Sequence, residues 1–175
     1  TDLAWLRLYV GRWLRAPIER ADGTLLERTK GTPQGGVASP LLANLFLHYG
    51  FDAWMQRTFP NNPFERFADD AIVHCRSEKE ARSVLEAIRV RFAEFGLELH
   101  PTKTKIVYCK DDDRPEEYEH IKFDFLGYSF QPRGARNRWG KFFLSFLPAI
   151  SAKAAKKIRQ TIRDWRMAST RNNQR

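Results

Sequence analysis

The chain is poor in the features that mark several large classes of protein. Its two cysteines, Cys75 and Cys109, are far apart and lack C-x-x-C spacing. That argues against a zinc finger or a disulfide framework and predicts two buried thiols. A reducing compartment, the cytoplasm, is the matching expectation. No apolar run approaches the roughly 20 residues that cross a bilayer, so no membrane partner is expected. His74 and His100 have no ligating neighbour at metal-site spacing and read as structural. No internal repeat is visible. A leader is missing too: Thr1 is followed at once by helical periodicity from Leu3, which predicts a piece of a longer chain. Acidic residues are scarce at one end. Residues 131–175 carry twelve Lys or Arg against one acid, Asp164, for +11, whereas the other 130 residues hold eighteen against twenty, for −2.

What remains is a chain of 175 residues, 42% apolar and 13% aromatic, too rich to be disordered and long enough for one domain or one domain and the start of another. The basic tail has Trp139, Phe142, Phe143 and Trp165 among its charges, a mixture that suits a nucleic-acid backbone. A solubilising surface helix is the plainer alternative.

Asp2 can cap a helix with Leu3, Leu6, Val10, Trp13 and Leu14 at three-four spacing, ended by Pro17. Residues 18–29 read as a hairpin turning at Asp22-Gly23. Residues 31–36 hold too much glycine and proline for regular structure. Ser39-Pro40 then opens a helix to about Gln56, with Leu41, Leu42, Leu45, Phe46 and Tyr49 on a broad apolar face. Two short apolar runs, 64–67 and 71–75, flank Asp69-Asp70 as strand, tight turn and strand. Ser77 and Glu80 form a capping box for a helix that aligns Ala81, Val84, Leu85, Ile88, Phe92 and Phe95 and stops at Gly96. Strands are expected at 97–99 and 105–109, and a solvated loop at Asp111-Asp112-Asp113, although three carboxylates could hold a cation. Paired strands at 123–130 and 141–147 are expected, with 132–140 as their connection. Ser151 caps a basic helix that puts Ala155, Ile158, Ile162 and Trp165 on one face, toward a protein core. This mixture predicts an α+β fold with an antiparallel sheet and helices on one face.

The chemistry concentrates at Phe67-Ala68-Asp69-Asp70. Adjacent carboxylates between apolar strands raise each other's proton affinity unless a cation neutralises them. A rigid hairpin of this kind can aim both acids at two Mg²⁺ ions about 3.5–4 Å apart. An Asp-Asp turn facing water is the bland alternative.

The neighbouring strings sharpen the choice. GTPQGGVASPLLANLFLHYGFD (31–52) resembles motif B of the reverse transcriptases encoded by group II introns. RFADDAIVHC (66–75) resembles their motif C, usually written Tyr-Ala-Asp-Asp. GLELHPTKTKIVYC (96–109) looks like the motif D region and FDFLGYSF (123–130) like motif E. Order and intervals agree with that family over nearly the whole chain.

The resemblance implies a palm subdomain in a partial fingers and palm region, 1–147, and the start of a thumb or maturase segment at 148–175. It implies RNA-directed DNA synthesis dependent on Mg²⁺, with RNA template, DNA primer and dNTP as substrates. A splicing and mobility role with intron RNA, in a cytoplasmic ribonucleoprotein of bacterial type, is also implied, and a homodimer of the complete protein is allowed. Asp69 looks like the motif C metal ligand and Asp70 like its neighbouring acid. Gln34, Gly35 and Gly36 look like part of the nucleotide and template pocket, where glycine admits a close approach and glutamine offers donor and acceptor. A linker before a helix is the alternative there. Lys103 matches the motif D lysine that neutralises or protonates the leaving pyrophosphate, with Lys105 as competitor and a plain surface lysine as alternative. Phe67 replaces the family's tyrosine, keeping the ring for stacking and losing the hydroxyl. His48, Tyr49 and Asp52 fit the pattern, but packing or surface pairing explains them as well. Lys153, Lys156, Lys157, Arg159 and Arg163 are the expected phosphate contacts.

Motif A, which supplies a further metal-binding Asp, has no counterpart in the sequence, and Asp2 lacks its Phe-Phe-Asp neighbourhood. The chain alone is therefore expected not to synthesise DNA. Two other readings stand: a non-catalytic RNA-binding splicing cofactor on the same fold, and a reverse transcriptase of retron or CRISPR-associated type.

Overall fold

Asp22 supplies the first turn: its carboxylate accepts from the amide (2.9 Å) and hydroxyl (2.6 Å) of Thr24, and Gly23 takes a φ of +81° that glycine tolerates. The turn joins β1 (Ile18–Glu19) to β2 (Leu25–Leu26), as expected, after helix α1 (Ala4–Arg15). Arg28 returns to the carbonyls of Trp13 and Ala16, covering the negative end of α1. The computed structural model describes residues 3–28, 31–32 and 35–165, so the capping role of Asp2 lies outside the described residues. Two units are distinguished, residues 1–98 and residues 99–175.

In the first unit the helix opened by Ser39-Pro40 is not one uniform α-helix. It runs as α2 (Ser39–Leu47), a π-helical turn (His48–Asp52) and α3 (Ala53–Thr58). The π turn re-registers the chain, and it is Phe51 and Met55, beyond the expected apolar face, that are fully buried. Leu41, Leu45, Phe46 and Tyr49 stay exposed, contrary to expectation. Strands β3 (Phe64–Phe67) and β4 (Asp70–Val73) pair antiparallel, Phe64 opposite Val73 and Phe67 opposite Asp70. Phe51 packs edge-on against Phe64 (5.4 Å) and against Phe92 (5.8 Å) of α4 (Glu78–Glu94), which also buries Val84 and Ile88. Each such side chain contributes about 1.5–3 kcal/mol on burial. The ends of α4 follow local chemistry. The Ser77 hydroxyl accepts from the Glu80 amide, Glu80 accepts from the Arg76 amide, and Gly96 at φ +68° closes the helix with bonds from Gly96 to Ala93 and Leu97 to Phe92.

The strands expected at 97–99, where the two units meet in sequence, and at 105–109 in the second unit are not formed among the described residues; Tyr108 makes a single backbone bond to His120, without a ladder. Asp111 is paired with Arg114, and Asp112 accepts from the Leu144 amide (2.9 Å), so the acidic run is tied into the fold. Residues 123–130 are themselves a hairpin, β5 (Phe123–Phe125) and β6 (Tyr128–Arg136), turned at Leu126-Gly127 with φ of +50° and +82°. β6 continues through residues expected to be loop and pairs with β7 (Phe142–Ile150). Phe123 stacks on Phe130 at 4.9 Å, with Phe146 alongside. Buried Ser151 caps α5 (Ala152–Asp164) by accepting from Ala154. Ile158, Ile162 and Trp165 of the α5 region are exposed rather than turned to a core.

The architecture is α+β, but the described strands form three separate antiparallel sheets of two, two and three strands instead of one. No described helix is long and apolar enough to cross a membrane.

Candidate catalytic hairpin

The β3–β4 hairpin is the shortest kind: only Ala68 and Asp69 separate the paired residues Phe67 and Asp70. Ala68 has a φ of +53° and Asp69 does not share the positive sign, the pattern of a II′ turn whose first position normally favours glycine. An alanine there is strained by roughly 1–2 kcal/mol. Something must hold it.

Arg66 does so. Directly paired residues share a face, so Phe64 and Arg66 lie with Val73 and Ala71 on one side, and Phe67 and Asp70 on the other. On the first side the Arg66 guanidinium forks onto both carboxylate oxygens of Asp52, at 2.6 and 2.7 Å. Its remaining nitrogen donates to Asn44 Oδ1 (3.0 Å) and to the carbonyl of Ala68 itself (2.8 Å). The strained turn is thus bonded to α2 and to the π turn from behind. Both partners of the ion pair are largely buried, and Arg66, with a smaller contribution from His48, holds the Asp52 carboxyl below the usual carboxylate range. At the open end of the hairpin, buried Asn62 donates to the His74 carbonyl and to Glu80 of the α4 cap. Rigid anchors at both ends fix where the turn points.

On the free side, Phe67 is 61% exposed, and Asp69 and Asp70 are exposed as well. Neither carboxylate has a hydrogen-bond or ion-pair partner among the described residues; the nearest arginine in sequence is committed to Asp52. Two unpaired, adjacent oxygen donors on a braced turn are the donor type a hard divalent cation takes. Among the described residues no group of three or more His, Cys, Asp or Glu is placed to hold a metal ion.

The other expected site residues are placed as follows. Gly35 and Gly36 lie in the turn before α2. Gly35 has a φ of +88° with nothing near the position a Cβ would take, and Gly36 accepts from the Ser39 amide. Gln34 lies outside the described residues. Lys103 and Lys105 belong to the second unit, both exposed in irregular chain, and nothing there favours one over the other. Lys153, Lys156, Lys157, Arg159 and Arg163 are placed on α5, with no ion-pair partner among the described residues. Cys75 and Cys109 are half-buried free thiols, and burial pushes both up, which makes them poor nucleophiles. Reading the sequence alone missed Arg66 and Asn44. The signal available was a charged residue at an inward-facing position of a strand, which demands a buried partner.

An α+β chain with two exposed carboxylates on a braced hairpin has the groups a nucleotidyl-transfer enzyme would use, and the family comparison decides the class. Residues 2–130 match the family of reverse transcriptases (RNA-dependent DNA polymerases). That span is well over half of the chain, and the chain belongs to this family. Family membership carries RNA-directed DNA polymerase activity, with RNA template, primer and dNTP as the substrates. No curated protein and no solved structure matches the chain.

Proposed function

We propose that the chain is the palm portion of a reverse transcriptase of the group II intron type, working within a longer enzyme that also serves splicing and mobility of its intron RNA. The observation that carries the catalytic reading is the pair Asp69 and Asp70, without a partner among the described residues, on a turn that Arg66 braces from behind. Asp69 and Asp70 would hold Mg²⁺ together with a further Asp supplied from outside this sequence. The metal, when bound, lowers the cost of generating the attacking hydroxylate and of charge on the leaving pyrophosphate.

The chain's own residues do the rest. The hairpin sets the direction of both acids, and Phe67, on the same face as Asp70, offers a ring against which a nucleotide or primer terminus packs. Gln34, Gly35 and Gly36 line the approach of the nucleotide and template. Lys103 neutralises or protonates the departing pyrophosphate. The basic face of α5 tracks phosphates from a thumb or maturase segment, 148–175. A cytoplasmic ribonucleoprotein is the setting. The free carboxylates favour an enzyme over a splicing cofactor that has lost synthesis, which would have no need to keep them unpaired.

In the complete enzyme, Asp69→Ala abolishes primer extension on an RNA template and leaves RNA affinity largely in place. Extension near the wild-type rate would remove the catalytic assignment.

A further inference from the structure

The hairpin joining β6 to β7 has a tip that lies beyond the residues matching the family, and that tip is built in an unusual way. Its two strands run in register from Tyr128 opposite Ile150 to Arg136 opposite Phe142. The loop beyond is ordered by its own side chains. Asn137 Oδ1 accepts from the amides of Trp139 and Lys141, both at 3.0 Å, while backbone bonds join Asn137 to Lys141 and Gly140 to Asn137. Gly140 takes a φ of +84°, and a Cβ there would lie 3.0 Å from the Arg136 guanidinium. The glycine therefore lets Arg136 lie across the turn, donating to the Gly140 carbonyl (3.1 Å) with its guanidinium 5.5 Å over the Phe142 ring. The neighbouring Arg138 guanidinium sits 4.1 Å over Trp139.

Two properties coincide on this tip. Trp139 and Phe142 are 75% and 74% exposed, so large flat apolar surfaces are held out in water. Around them stand Arg136, Arg138 and Lys141, and no acid occurs in β6, β7 or their loop. The carboxylates that meet this hairpin do so away from the tip: Asp112 accepts from the Leu144 amide partway down β7, and Asp124 accepts from the Ser129 hydroxyl near the start of β6. A cationic surface alone would suit any polyanion, and exposed rings alone any apolar partner. Guanidinium groups laid beside rings, in a loop that needs no reordering, suit a polyanion that also carries flat faces.

We propose that the β6–β7 tip is a binding platform for an unpaired nucleic-acid strand, with Trp139 and Phe142 stacking on bases and Arg136, Arg138 and Lys141 taking the flanking phosphates. A strand rather than a duplex fits, because base faces are open to side chains only where they are not already stacked in pairs. One face of Trp139 is covered by Arg138, which leaves the other for a base. The platform extends the reading of the chain as a nucleic-acid enzyme, but does not depend on Asp69 or Asp70.

The test uses the 175-residue chain and fluorescence anisotropy of a labelled RNA of about 20 nucleotides, a length that spans one such site, single-stranded and annealed to its complement. Trp139→Ala weakens binding of the single strand by about 5- to 150-fold, the loss of one stacked base. Trp139→Phe retains most of the affinity, and the duplex affinity of both variants stays near that of the parent. Arg136→Gln and Arg138→Gln each reduce the steepness of the logarithmic salt dependence by about 0.7. Circular dichroism confirms that the variants keep the parent's structure. Three results would overturn the proposal: unchanged single-strand affinity in Trp139→Ala, an equal loss for duplex and single strand, or heparin competing with full strength against the parent and the Trp139→Ala variant alike. The assay scores binding and not synthesis, so a failed catalytic assignment would leave its outcome intact.

Discussion

Arg66 carries more of the site than any residue the motif itself names. Its four hydrogen bonds reach Asp52, Asn44 and the carbonyl of Ala68, the residue with the strained φ. Arg66→Lys keeps the charge but cannot fork, so the turn loses at least one anchor. Charge-assisted bonds of this kind contribute about 1.5–3 kcal/mol each. A displacement of about 1 Å at a catalytic group can cost on the order of 10²-fold in rate. In the complete enzyme Arg66→Lys is therefore expected to lower kcat by that order while KM for dNTP stays within a few-fold, and to raise the Mg²⁺ concentration needed for half-maximal rate. A rise in KM alone would show that Arg66 acts on substrate binding instead. The pH dependence follows from the same pair. Asp52 titrates below its ordinary value because Arg66 favours the charged form. The stabilisation is therefore complete above the ordinary carboxylate value, about 3.9, and is lost as pH falls through the lowered one. Asp52→Asn should be less stable near neutrality and should lack this part of the acid-induced loss in a thermal melt.

At the scale of elements, the sequence was legible where one residue's local chemistry decides the outcome. Asp22-Gly23 makes its turn, Ser77 and Gly96 bound α4, and Ser151 starts α5, because caps and left-handed glycines act within one turn of chain. It was illegible where distant packing decides. The π turn at His48–Asp52 has the composition of ordinary helix and is revealed only by where Phe51 and Asp52 point. Pro132 and Gly134 suggested a loop, yet both lie in β6. The partner β5 reaches only to Phe130, so from there one edge of β6 is unpaired, and an edge tolerates proline. Leu126-Gly127, by contrast, carried a glycine turn signal inside a run that alternation alone presented as one strand. For α5, the expectation that Ile158, Ile162 and Trp165 meet a core is not met among the described residues, while its five cations are as exposed as expected. If those cations bind phosphates, replacing Lys153, Lys156, Lys157, Arg159 and Arg163 by glutamine weakens duplex binding for all sequences alike. It also flattens the logarithmic salt dependence by about 0.9 for every phosphate no longer neutralised. An unchanged slope would assign the charge to solubility.

For the whole molecule, the family assignment and the hairpin geometry bear on different questions. The match over residues 2–130 establishes a reverse transcriptase. The hairpin presents two carboxylates that no described residue neutralises, with the neighbouring Arg66 turned to the opposite face. The motif strings made the turn and its acids readable from sequence. The brace behind them was not readable, since it joins residues 44, 52 and 66 through a π turn that no local pattern announces. Metal binding at Asp69 and Asp70 can be read out by localised cleavage. With Fe²⁺ and ascorbate in place of Mg²⁺, in the complete enzyme bound to template, primer and dNTP, hydroxyl radicals form at the metal and cut the nearest backbone. Cleavage is expected to cluster at residues 67–71, to be suppressed by added Mg²⁺ and to be lost in Asp69→Asn. Cleavage that avoids this turn, or that persists unchanged in Asp69→Asn, would contradict metal binding by these acids.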